Sequence, residues 1–198
     1  MSLRLQNDLD DNRRETDRLR NELELVRQEA RRDPLTGLAN RVTLFDAIDE
    51  LLKGSEDWGQ EFCLLMLDID FFKKVNDTYG HLIGDKVICF IADVMRKSIK
   101  GKDVAVRYGG EEFVVLLPET PYVGGVHVAE QLRHAVERGK LVRSKSRENL
   151  GTVTISLGVA CSRKNDRRDD LIGRADKALY MAKKSGRNRV IGERDLSS

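Results

Sequence analysis

The stretch "RYGGEEFVVLLP" at residues 107–118 has the pattern of a turn followed by a β-strand. The apolar run after the glutamates is typical of a strand that is buried on both faces. The glycine pair Gly109 and Gly110 predicts a tight hairpin turn, because glycine readily adopts the positive φ that such turns require. Folding alone gives no reason for the two carboxylates that follow, Glu111 and Glu112, so we expect them to have a functional role.

The apolar patterns around this hairpin predict an α/β fold. Helices are expected where apolar residues recur every three or four positions, and strands where short continuous apolar runs occur. From residue 62 the predicted order is β-α-β-β-α-β with an extra helix and strand, which is the ferredoxin-like or palm arrangement of an α+β sandwich. The predicted strands are 62–70, 104–108, 113–117, 153–161 and 188–193, and the predicted helices are 41–53, 87–99, 121–137 and 170–184.

The composition favours one globular domain with an appendage. The chain has 198 residues, of which 40% are hydrophobic, and this is enough for one ordinary core. Its 35 basic and 33 acidic residues give a net charge of only +2, so no broad cationic surface favours binding to nucleic acid. No apolar run reaches the roughly 18–20 residues that span a bilayer, and the N-terminus lacks a secretory signal. We therefore expect a soluble, cytoplasmic segment that does not enter a membrane.

The three cysteines are expected to be buried thiols. Cys63, Cys89 and Cys161 are far apart in the chain, and each lies in an apolar stretch. Free cysteine behaves as a small hydrophobic residue in a protein core. An odd number of scattered cysteines disfavours a disulfide or a metal site and fits a reducing compartment.

Residues 3–32 predict a coiled coil that precedes the domain. The segment contains neither glycine nor proline, and its apolar or small residues alternate at spacings of four and three. We therefore expect residues 1–32 to form a signalling helix that pairs two chains as a homodimer and that continues from a longer linker and an upstream domain. A single solvated helix is the alternative, since two of the eight seam positions are polar. The seam consists of Leu5, Leu9, Asn12, Thr16, Leu19, Leu23, Val26 and Ala30.

The junction "DPLTGLANR" at residues 33–41 marks the start of the domain. Pro34 cannot continue a helix, and the residues around it favour turns. We therefore assign residues 33–198 to one folded domain.

Four carboxylates are expected to meet near the end of the first long strand. Asp68 and Asp70 end the run "FCLLMLDID" at residues 62–70. In the palm arrangement this strand end lies beside Glu111 and Glu112 of the hairpin. Such carboxylates repel one another unless a cation compensates their charge, and hard oxygen ligands suit Mg²⁺ or Mn²⁺ together with a phosphate-bearing substrate. The alternative is that they are solvated residues at strand ends.

Four separated motifs of this chain occur together in one known family. The motifs are, in order, "DPLTGLANR", "LDIDFFKKVNDTYGHLIGD", "RYGGEEF" and "ADKALYMAKKSGRN". They closely resemble the GGDEF family of diguanylate cyclases, over residues 33 to about 192. The resemblance implies a domain similar to the palm of adenylyl cyclases and polymerases, which joins two GTP molecules into cyclic di-GMP with release of pyrophosphate. It also implies that the domain is the output part of a bacterial signalling protein.

The resemblance implies a two-metal phosphoryl-transfer site. Two Mg²⁺ or Mn²⁺ ions per active site would neutralise the triphosphate and polarise the attacked α-phosphorus. The residues that match the family's catalytic metal ligands are Asp68, Glu111 and Glu112, together with the carbonyl of Ile69. Glu112 is interpreted either as a metal ligand or as the group that helps to deprotonate the attacking 3′-hydroxyl. Asp70 is either functional or a structural residue that holds a turn.

The resemblance also implies how GTP is held. Backbone N–H groups after the first long strand would meet the β- and γ-phosphates, and two cations near the end of the last helix would contact the phosphates. An Asn and Asp pair would read guanine, because Asp can accept from the N1 and N2 hydrogens that adenine lacks. The hairpin glycines would form a floor for the nucleotide. The implied substrate-binding residues are Phe71, Phe72, Lys73, Asn76, Asp85, Gly109, Gly110, Lys183 and Arg187.

One part of the family pattern is altered. Many members have an inhibitory product site, R-x-x-D, before the signature. Here the corresponding residues read "KGKD", with Lys100 where Arg is expected and Asp103 retained. Because Lys is a mobile point charge without the fixed pair of donors that Arg offers, we expect only weak binding of cyclic di-GMP at this place. The alternative is that Lys100 is a solvated loop residue.

Two other functions are alternatives to an active diguanylate cyclase. A catalytically silent module that binds GTP or cyclic di-GMP usually has a damaged signature, whereas "GGEEF" at residues 109–113 is intact. A cyclase that uses adenine nucleotides is disfavoured because Asp85 is present. We therefore expect two domains that face each other, each of which holds one GTP.

Overall fold

The structure is a computed structural model, and it describes residues 14–20, 22, 30–54, 61–139 and 152–197. Within these ranges, a six-stranded sheet with helices on both faces forms the domain. The elements in chain order are β1 (Ala39–Asn40), α1 (Arg41–Gly54), β2 (Cys63–Ile69), α2 (Phe72–Tyr79), α3 (His81–Ser98), β3 (Val104–Arg107), β4 (Glu112–Leu117), α4 (Tyr122–Arg138), β5 (Ile155–Cys161), α5 (Arg168–Lys184), β6 (Val190–Gly192) and a 3₁₀ helix (Glu193–Ser197).

The central strands of the sheet are antiparallel and have the predicted topology. The strand order is β1-β3-β4-β2-β5-β6, with β1 parallel to β3 and β6 parallel to β5 at the two edges. Strand β2 lies between β4 and β5 and is antiparallel to both. Helix α3 follows β2 and helix α4 follows β4, so the predicted palm order is confirmed, with α5 and β6 as the extra helix and strand.

The alternation of side chains along β2 divides the core into two layers. Leu65 and Leu67 pack on the side of α3 and α4, whereas Leu64 and Met66 pack on the side of α1 and α5. Fully burying one such side chain contributes roughly 1.5–3 kcal/mol, so a strand that is buried on both faces holds its register strongly. Asp68 is two residues beyond Met66, and its side chain therefore lies on the side of α5.

Helix α5 packs closely against β5 because Gly158 has no side chain. A Cβ at this position would overlap the carbonyl oxygen of Ala175 and the backbone nitrogen of Leu179. These are backbone atoms in the middle of α5, so they cannot yield unless the helix shifts. The close approach helps to place the C-terminal end of α5, with Lys183, over the end of β2.

The hairpin glycines act through the space that they leave and not through an unusual backbone conformation. Neither Gly109 nor Gly110 has a positive φ, so the predicted turn conformation was wrong. The N–H groups of Tyr108 and Gly109 both donate to the carbonyl oxygen of Glu112, at 2.9 and 3.1 Å, and this closes the turn without a left-handed residue. A Cβ on Gly109 would lie 2.7 Å from Oε2 of Glu112, whereas a Cβ on Gly110 would meet no atom within 4 Å.

The cysteines differ from the prediction. Cys63 and Cys161 form a disulfide, and only Cys89 is a free thiol. The two bonded residues lie directly opposite each other on β2 and β5, with Cα atoms 4.1 Å apart. The prediction of three thiols was wrong because the register of strands separated by 98 residues cannot be inferred from the spacing of cysteines.

Two helices also differ from the prediction. Helix α2 was not predicted, because its eight residues bury only Phe72 and so have no continuous apolar face. Helix α3 begins at His81, one turn and a half before the predicted start, directly after Gly80 with a φ of 81°.

The predicted coiled coil lies largely outside the described residues. Residues 14–20 and 22 are helical, and they include two of the predicted seam positions, Thr16 and Leu19. The pairing of two such helices therefore stays a prediction. Among the segments that the structure describes, no helix is both long and apolar enough to cross a membrane.

The residues just before the predicted domain boundary contact the domain. The carbonyl oxygen of Arg31 accepts hydrogen bonds from the N–H of Asn40 at 3.0 Å and from Oγ1 of Thr43 at 2.9 Å. The side chain of Arg31 forms an exposed ion pair with Asp46, with a distance of 2.6 Å between Nη2 and Oδ2. The backbone of Arg31 is thus bonded to β1 and α1.

The contact at Gly158 yields a test of stability. We expect Gly158→Ala to lower the free energy of unfolding by about 3 kcal/mol, because the added methyl group would force α5 away from β5. Gly173→Ala is the matched control, since Gly173 is exposed in the same helix and its Cβ would meet no atom within 4 Å. The control should raise the free energy of unfolding by roughly 0.5–1 kcal/mol through helix propensity. Urea unfolding measures both, and equal effects would contradict the close packing.

Candidate active site

Asp68 is a buried carboxylate at the end of an otherwise apolar strand. Its residue is 5% exposed, and it lies opposite Glu112 on β4 and opposite Ser156 on β5. The carboxylate Oδ2 is 2.7 Å from Nζ of Lys183 at the end of α5. The structure therefore joins Asp68, Glu112 and Lys183, three residues from three motifs of the sequence.

Burial and neighbouring acids raise the pKa values of Asp68 and Glu111. Burial raises the pKa of Asp68, and the charges of Glu112 and Asp70 add to this, whereas the ammonium group of Lys183 opposes it. Burial also raises the pKa of Glu111, and the charges of Asp68 and Glu112 add to it, again against Lys183. Both carboxyl groups thus hold negative charge against a net penalty, which a cation would relieve.

The donors at this edge fit a hydrated divalent ion. No group of three His, Cys, Asp or Glu side chains within the described parts of the chain forms a complete metal cage. Mg²⁺ usually keeps several waters and binds through one or two carboxylates together with substrate phosphates, so it does not need such a cage. The carboxylates of Asp68 and Glu111, whose pKa values are raised first by burial and then by neighbouring acids, are suitable ligands.

The predicted phosphate loop lies at the N-terminus of α2. Phe71 has a left-handed backbone, with a φ of 57°, and no side chain caps the helix. The first N–H groups of a helix have no partner within it, and together with the helix dipole they attract anions. Phe72 and Lys73 are the first residues of α2, so their N–H groups belong to this set. The chain thus offers a backbone site for phosphate directly after β2.

Lys183 and Arg187 lie on either side of the end of α5. Lys183 is in the last turn of the helix, where it pairs with Asp68. Arg187 follows the helix and has a φ of 65°. The guanidinium carbon of Arg187 lies 4.4 Å from the ring centroid of Phe71, a cation–π distance. Both predicted phosphate contacts are therefore next to the β2–α2 segment.

The two residues predicted to read guanine are held near each other by α2 and α3. Asn76 is in α2, and its side-chain oxygen is buried without a hydrogen-bond partner in the described residues. A Cβ on Gly84, the residue before Asp85, would overlap this oxygen. Asp85 itself is exposed. Gly84 thus allows Asn76 to lie against α3, and the side-chain oxygen of Asn76 is left as a buried acceptor without a partner among the described residues.

Asp70 has a structural role. Its carboxylate accepts hydrogen bonds from Oγ1 of Thr154 at 2.7 Å, from Oγ of Ser156 at 2.6 Å and from the N–H of Asn188 at 3.0 Å. This residue is 6% exposed, and these three donors compensate its burial. The interpretation that Asp70 holds a turn is the one that its contacts support.

Arg107 connects the hairpin to the N-terminal junction, a role that was not predicted. Its guanidinium donates to the carbonyl oxygens of Gly109 at 3.2 Å and Gly110 at 2.8 Å. The same group pairs with Asp33, with a distance of 3.1 Å between Nη1 and Oδ2, and both side chains are 16% exposed. A basic residue two positions before the first glycine and an acid directly before Pro34 were the available signals in the sequence.

A cavity of about 320 Å³ opens between the hairpin and α5. It runs along the helix from the buried ion pair of Asp68 and is wide enough for part of a nucleotide. Its lining residues are Glu112, Asp176, Lys177, Leu179, Tyr180 and Lys183.

The residues of the predicted product site lie away from the carboxylates. Lys100 and Asp103 form a turn before β3, in which the N–H of Lys100 donates to Oδ2 of Asp103 at 3.0 Å. The hairpin follows β3 at its other end, roughly 13 Å further along an extended strand of four residues. The two places can therefore bind ligands separately.

The fold and the site together define a palm-type nucleotide cyclase domain, with carboxylates at the ends of adjacent antiparallel strands and a helix N-terminus beside them. The family "Diguanylate cyclase, GGDEF domain" matches residues 30–189. The chain belongs to this GGDEF family.

Curated relatives share this sequence over most of its length. The response regulator PleD of Caulobacter vibrioides is 42% identical over 182 residues, which are 91% of this chain and 40% of PleD. The diguanylate cyclase DgcP of Pseudomonas aeruginosa is 42% identical over 168 residues, which are 85% of this chain and 25% of DgcP. The chain thus spans less than half the length of either relative.

Solved structures have the same fold. The coiled coil and GGDEF domain of DgcB from Caulobacter crescentus, in complex with c-di-GMP, is 39% identical with a TM-score of 0.88, covering 95% of this chain and 98% of that one. The active GGEEF domain of a diguanylate cyclase from Vibrio cholerae is 32% identical with a TM-score of 0.72, covering 79% of this chain and 97% of that one.

The Arg107 clamp can be tested by unfolding. We expect Arg107→Met to lower the free energy of unfolding by about 2 kcal/mol, because the mostly buried carboxylate of Asp33 would lose its cationic partner and keep only the hydrogen bonds from Thr36. Arg31→Met removes the exposed ion pair with Asp46 and should change the free energy by no more than about 0.5 kcal/mol. Urea unfolding of both variants at neutral pH measures the difference. Equal losses would show that the clamp is no stronger than a surface pair.

The same variant should show a pH dependence of known sign. Burial raises the pKa of Asp33, but hydrogen bonds from Thr36 and the pairing with Arg107 outweigh it, so the pKa is lowered. The stability from this lowered pKa is present above the ordinary carboxyl value of about 3.9 and is lost as the pH falls through the folded-state pKa. The difference between wild type and Arg107→Met should therefore shrink below about pH 4. A difference that stays constant to pH 2.5 would contradict this.

Proposed function

We propose that this domain is an active diguanylate cyclase that condenses two GTP molecules into cyclic di-GMP and pyrophosphate. The observation that carries the proposal is the group formed by Asp68, Glu112 and Lys183 on three adjacent elements, beside a free helix N-terminus. Such a group can neutralise a triphosphate and orient its α-phosphorus. The GGDEF family and the relatives named diguanylate cyclases support the same activity.

The reaction requires little covalent chemistry from the protein. The 3′-hydroxyl of each GTP attacks the α-phosphorus of the other, so that over two such steps two new P–O bonds form, two bonds to pyrophosphate break, and two hydroxyl protons and two pyrophosphates leave. Two Mg²⁺ or Mn²⁺ ions would be held by Asp68, the carbonyl of Ile69, Glu111 and Glu112, where they would neutralise the triphosphate and polarise the phosphorus. Glu112 either shares in this binding or accepts the proton, since its side chain lies beside the cavity.

The substrate contacts follow from the arrangement of the elements. The N–H groups of residues 71–73 and the cations Lys183 and Arg187 would bind the β- and γ-phosphates, and Gly110 leaves open backbone for the nucleotide to approach. The buried oxygen of Asn76 and the exposed carboxylate of Asp85 would select guanine.

Two domains must cooperate, since each is proposed to hold one GTP. Residues 1–32 would bring two chains together as a coiled coil, and the DgcB structure contains a coiled coil joined to a GGDEF domain. The domain would then be the output part of a longer bacterial signalling protein. Cyclic di-GMP would bind only weakly at Lys100 and Asp103, because this chain lacks the arginine of the product-site pattern.

The activity itself is the first test. With GTP and Mg²⁺ we expect formation of cyclic di-GMP, and with ATP no cyclic dinucleotide. Asp68→Asn should reduce the rate of cyclic di-GMP formation by at least about 100-fold, because a neutral amide cannot balance the positive charge of a bound metal ion. The melting temperature of this variant should change little. Asp93→Asn, which alters an exposed acid on α3, is the control and should keep full activity. If wild type binds GTP and forms no product with Mg²⁺ or Mn²⁺, the chain is the silent binding module.

The buried oxygen of Asn76 provides a test of guanine recognition. We expect Gly84→Ala to weaken GTP binding about tenfold or more, because the new methyl group would displace the Asn76 side chain that it overlaps. Leu82→Ala is the control, since Leu82 is 81% exposed on the same helix. Michaelis constants for GTP measured on both variants decide the matter. An unchanged constant in Gly84→Ala would remove Asn76 from the guanine site.

The N-terminal helix can be tested by truncation. Because residues 30–32 bond to β1 and α1, the deletion should end at residue 29. We expect the truncated domain to lose activity at low enzyme concentration and to recover it at high concentration, since a coiled coil raises the effective concentration of one domain near the other. Specific activity is measured over a 1000-fold dilution series. Equal activity of both forms at every concentration would contradict the dimerising role.

A further inference from the structure

The turn after α5 is bonded to α4 through Asn188. The amide nitrogen Nδ2 of Asn188 donates to Oε1 of Glu137 at 2.7 Å, and its oxygen Oδ1 accepts from Nη1 of Arg133 at 3.0 Å. Its backbone N–H donates to Oδ2 of Asp70 at 3.0 Å. One residue thus joins three elements: α4, the turn after α5, and the segment between β2 and α2.

The partners of Asn188 on α4 are themselves fixed. Arg133 is only 12% exposed at its side chain, and it also pairs with Glu130 and Glu137, at 2.8 and 3.2 Å. The hydrogen bond from Asn188 lowers the pKa of Glu137, and the charge of Arg133 lowers it further, so Glu137 is an acceptor at neutral pH. The side chain of Asn188 therefore docks on a charged pair that is already in place.

The backbone of this turn needs such support. Arg187 and Asn188 are consecutive residues with positive φ, 65° and 44°, a conformation that costs energy for residues other than glycine. The N–H of Arg187 donates to the carbonyl oxygen of Ala182 at 3.0 Å, and the bonds of Asn188 hold the next residue. This conformation directs the guanidinium of Arg187 back over the ring of Phe71.

We propose that Asn188 is a positioning residue for the triphosphate of GTP, which uses its contacts with Glu137 and Arg133 on α4 to hold Arg187 and the segment after Asp70 in place. It does not touch the phosphates itself. The inference rests on the proposed function, in which Arg187 and the N–H groups of residues 71–73 bind these phosphates. Without Asn188, the guanidinium of Arg187 would lose its contact with the ring of Phe71 and would be solvated by water, away from the phosphates.

The test exchanges the donor and acceptor between Asn188 and Glu137. Asn188→Asp places two carboxylates in contact, whereas the double variant Asn188→Asp/Glu137→Gln restores one donor and one acceptor and keeps the total charge. The probe is 3′-deoxy-GTP with Mg²⁺, which lacks the attacking hydroxyl, so that binding is measured without turnover. We expect Asn188→Asp to weaken its binding about tenfold and the double variant to restore it to within about threefold of wild type.

A second cycle separates positioning from a general effect on the fold. If Asn188 acts in part through Arg187, then Arg187→Ala/Asn188→Asp should bind 3′-deoxy-GTP more tightly than the product of the two single effects predicts. Melting temperatures are recorded for every variant. If Asn188→Asp does not fold, Asn188→Gly replaces it, because glycine tolerates the positive φ but lacks the side-chain amide. With this replacement the same tenfold weakening is expected.

Three results would overturn the inference. The first is unchanged nucleotide affinity in a folded Asn188 variant, even with a lower melting temperature, which marks a purely structural residue. The second is no recovery in the double variant, and the third is full additivity with Arg187→Ala. If the wild type binds 3′-deoxy-GTP and cyclises GTP, and the variants give any of these three results, only the inference is overturned. Wild type that does neither overturns the proposed function as well.

Discussion

The buried carboxylate of Asp68 is the constraint around which this domain is arranged. An ionised group that is 5% exposed costs several kcal/mol unless a charge compensates it. Lys183 supplies that charge from α5, and α5 lies near enough because Gly158 lets it pack directly on β5. A lysine ammonium is a point charge on a flexible stem, so Lys183 suits both this pairing and the phosphate contact that we propose. An arginine with fixed geometry would exchange partners less easily.

The hairpin is specialised for open space beside these acids. Gly109 leaves room for the Glu112 side chain, and Gly110 leaves its own backbone uncovered. A turn without side chains would be loose, and Arg107 prevents this by donating to both glycine carbonyls while it pairs with Asp33. The openness of the turn and its order therefore come from different residues. The glycines provide the access, and an arginine behind them provides the rigidity.

Much of this arrangement could be predicted, and the limits have physical causes. The palm topology and the meeting of Asp68 with Glu112 depend on local patterns, since apolar runs and side-chain alternation are visible in the sequence. The disulfide of Cys63 and Cys161 depends on a register set by two entire strands, and no local pattern contains it. The contacts of Asn188 likewise depend on how α4 packs against the sheet. The sequence also indicated that Gly109 and Gly110 are needed in the hairpin. The positive φ predicted for them is absent, and they act through the space that they leave.

Two of the elements that we propose to bind GTP are exposed, whereas the residues that hold them are buried. Phe71 is 61% exposed and the backbone of Gly110 is open, but Asp70 behind the loop is 6% exposed. The side chains of Arg107 and Arg133 are 16% and 12% exposed, and each reaches two elements with its planar set of donors, which a lysine could not do. Because these anchors are satisfied by the protein's own contacts, the surfaces that we propose to bind GTP are held in place without it. Less binding energy is then lost in ordering them, and more is left to bring the two reacting nucleotides into line.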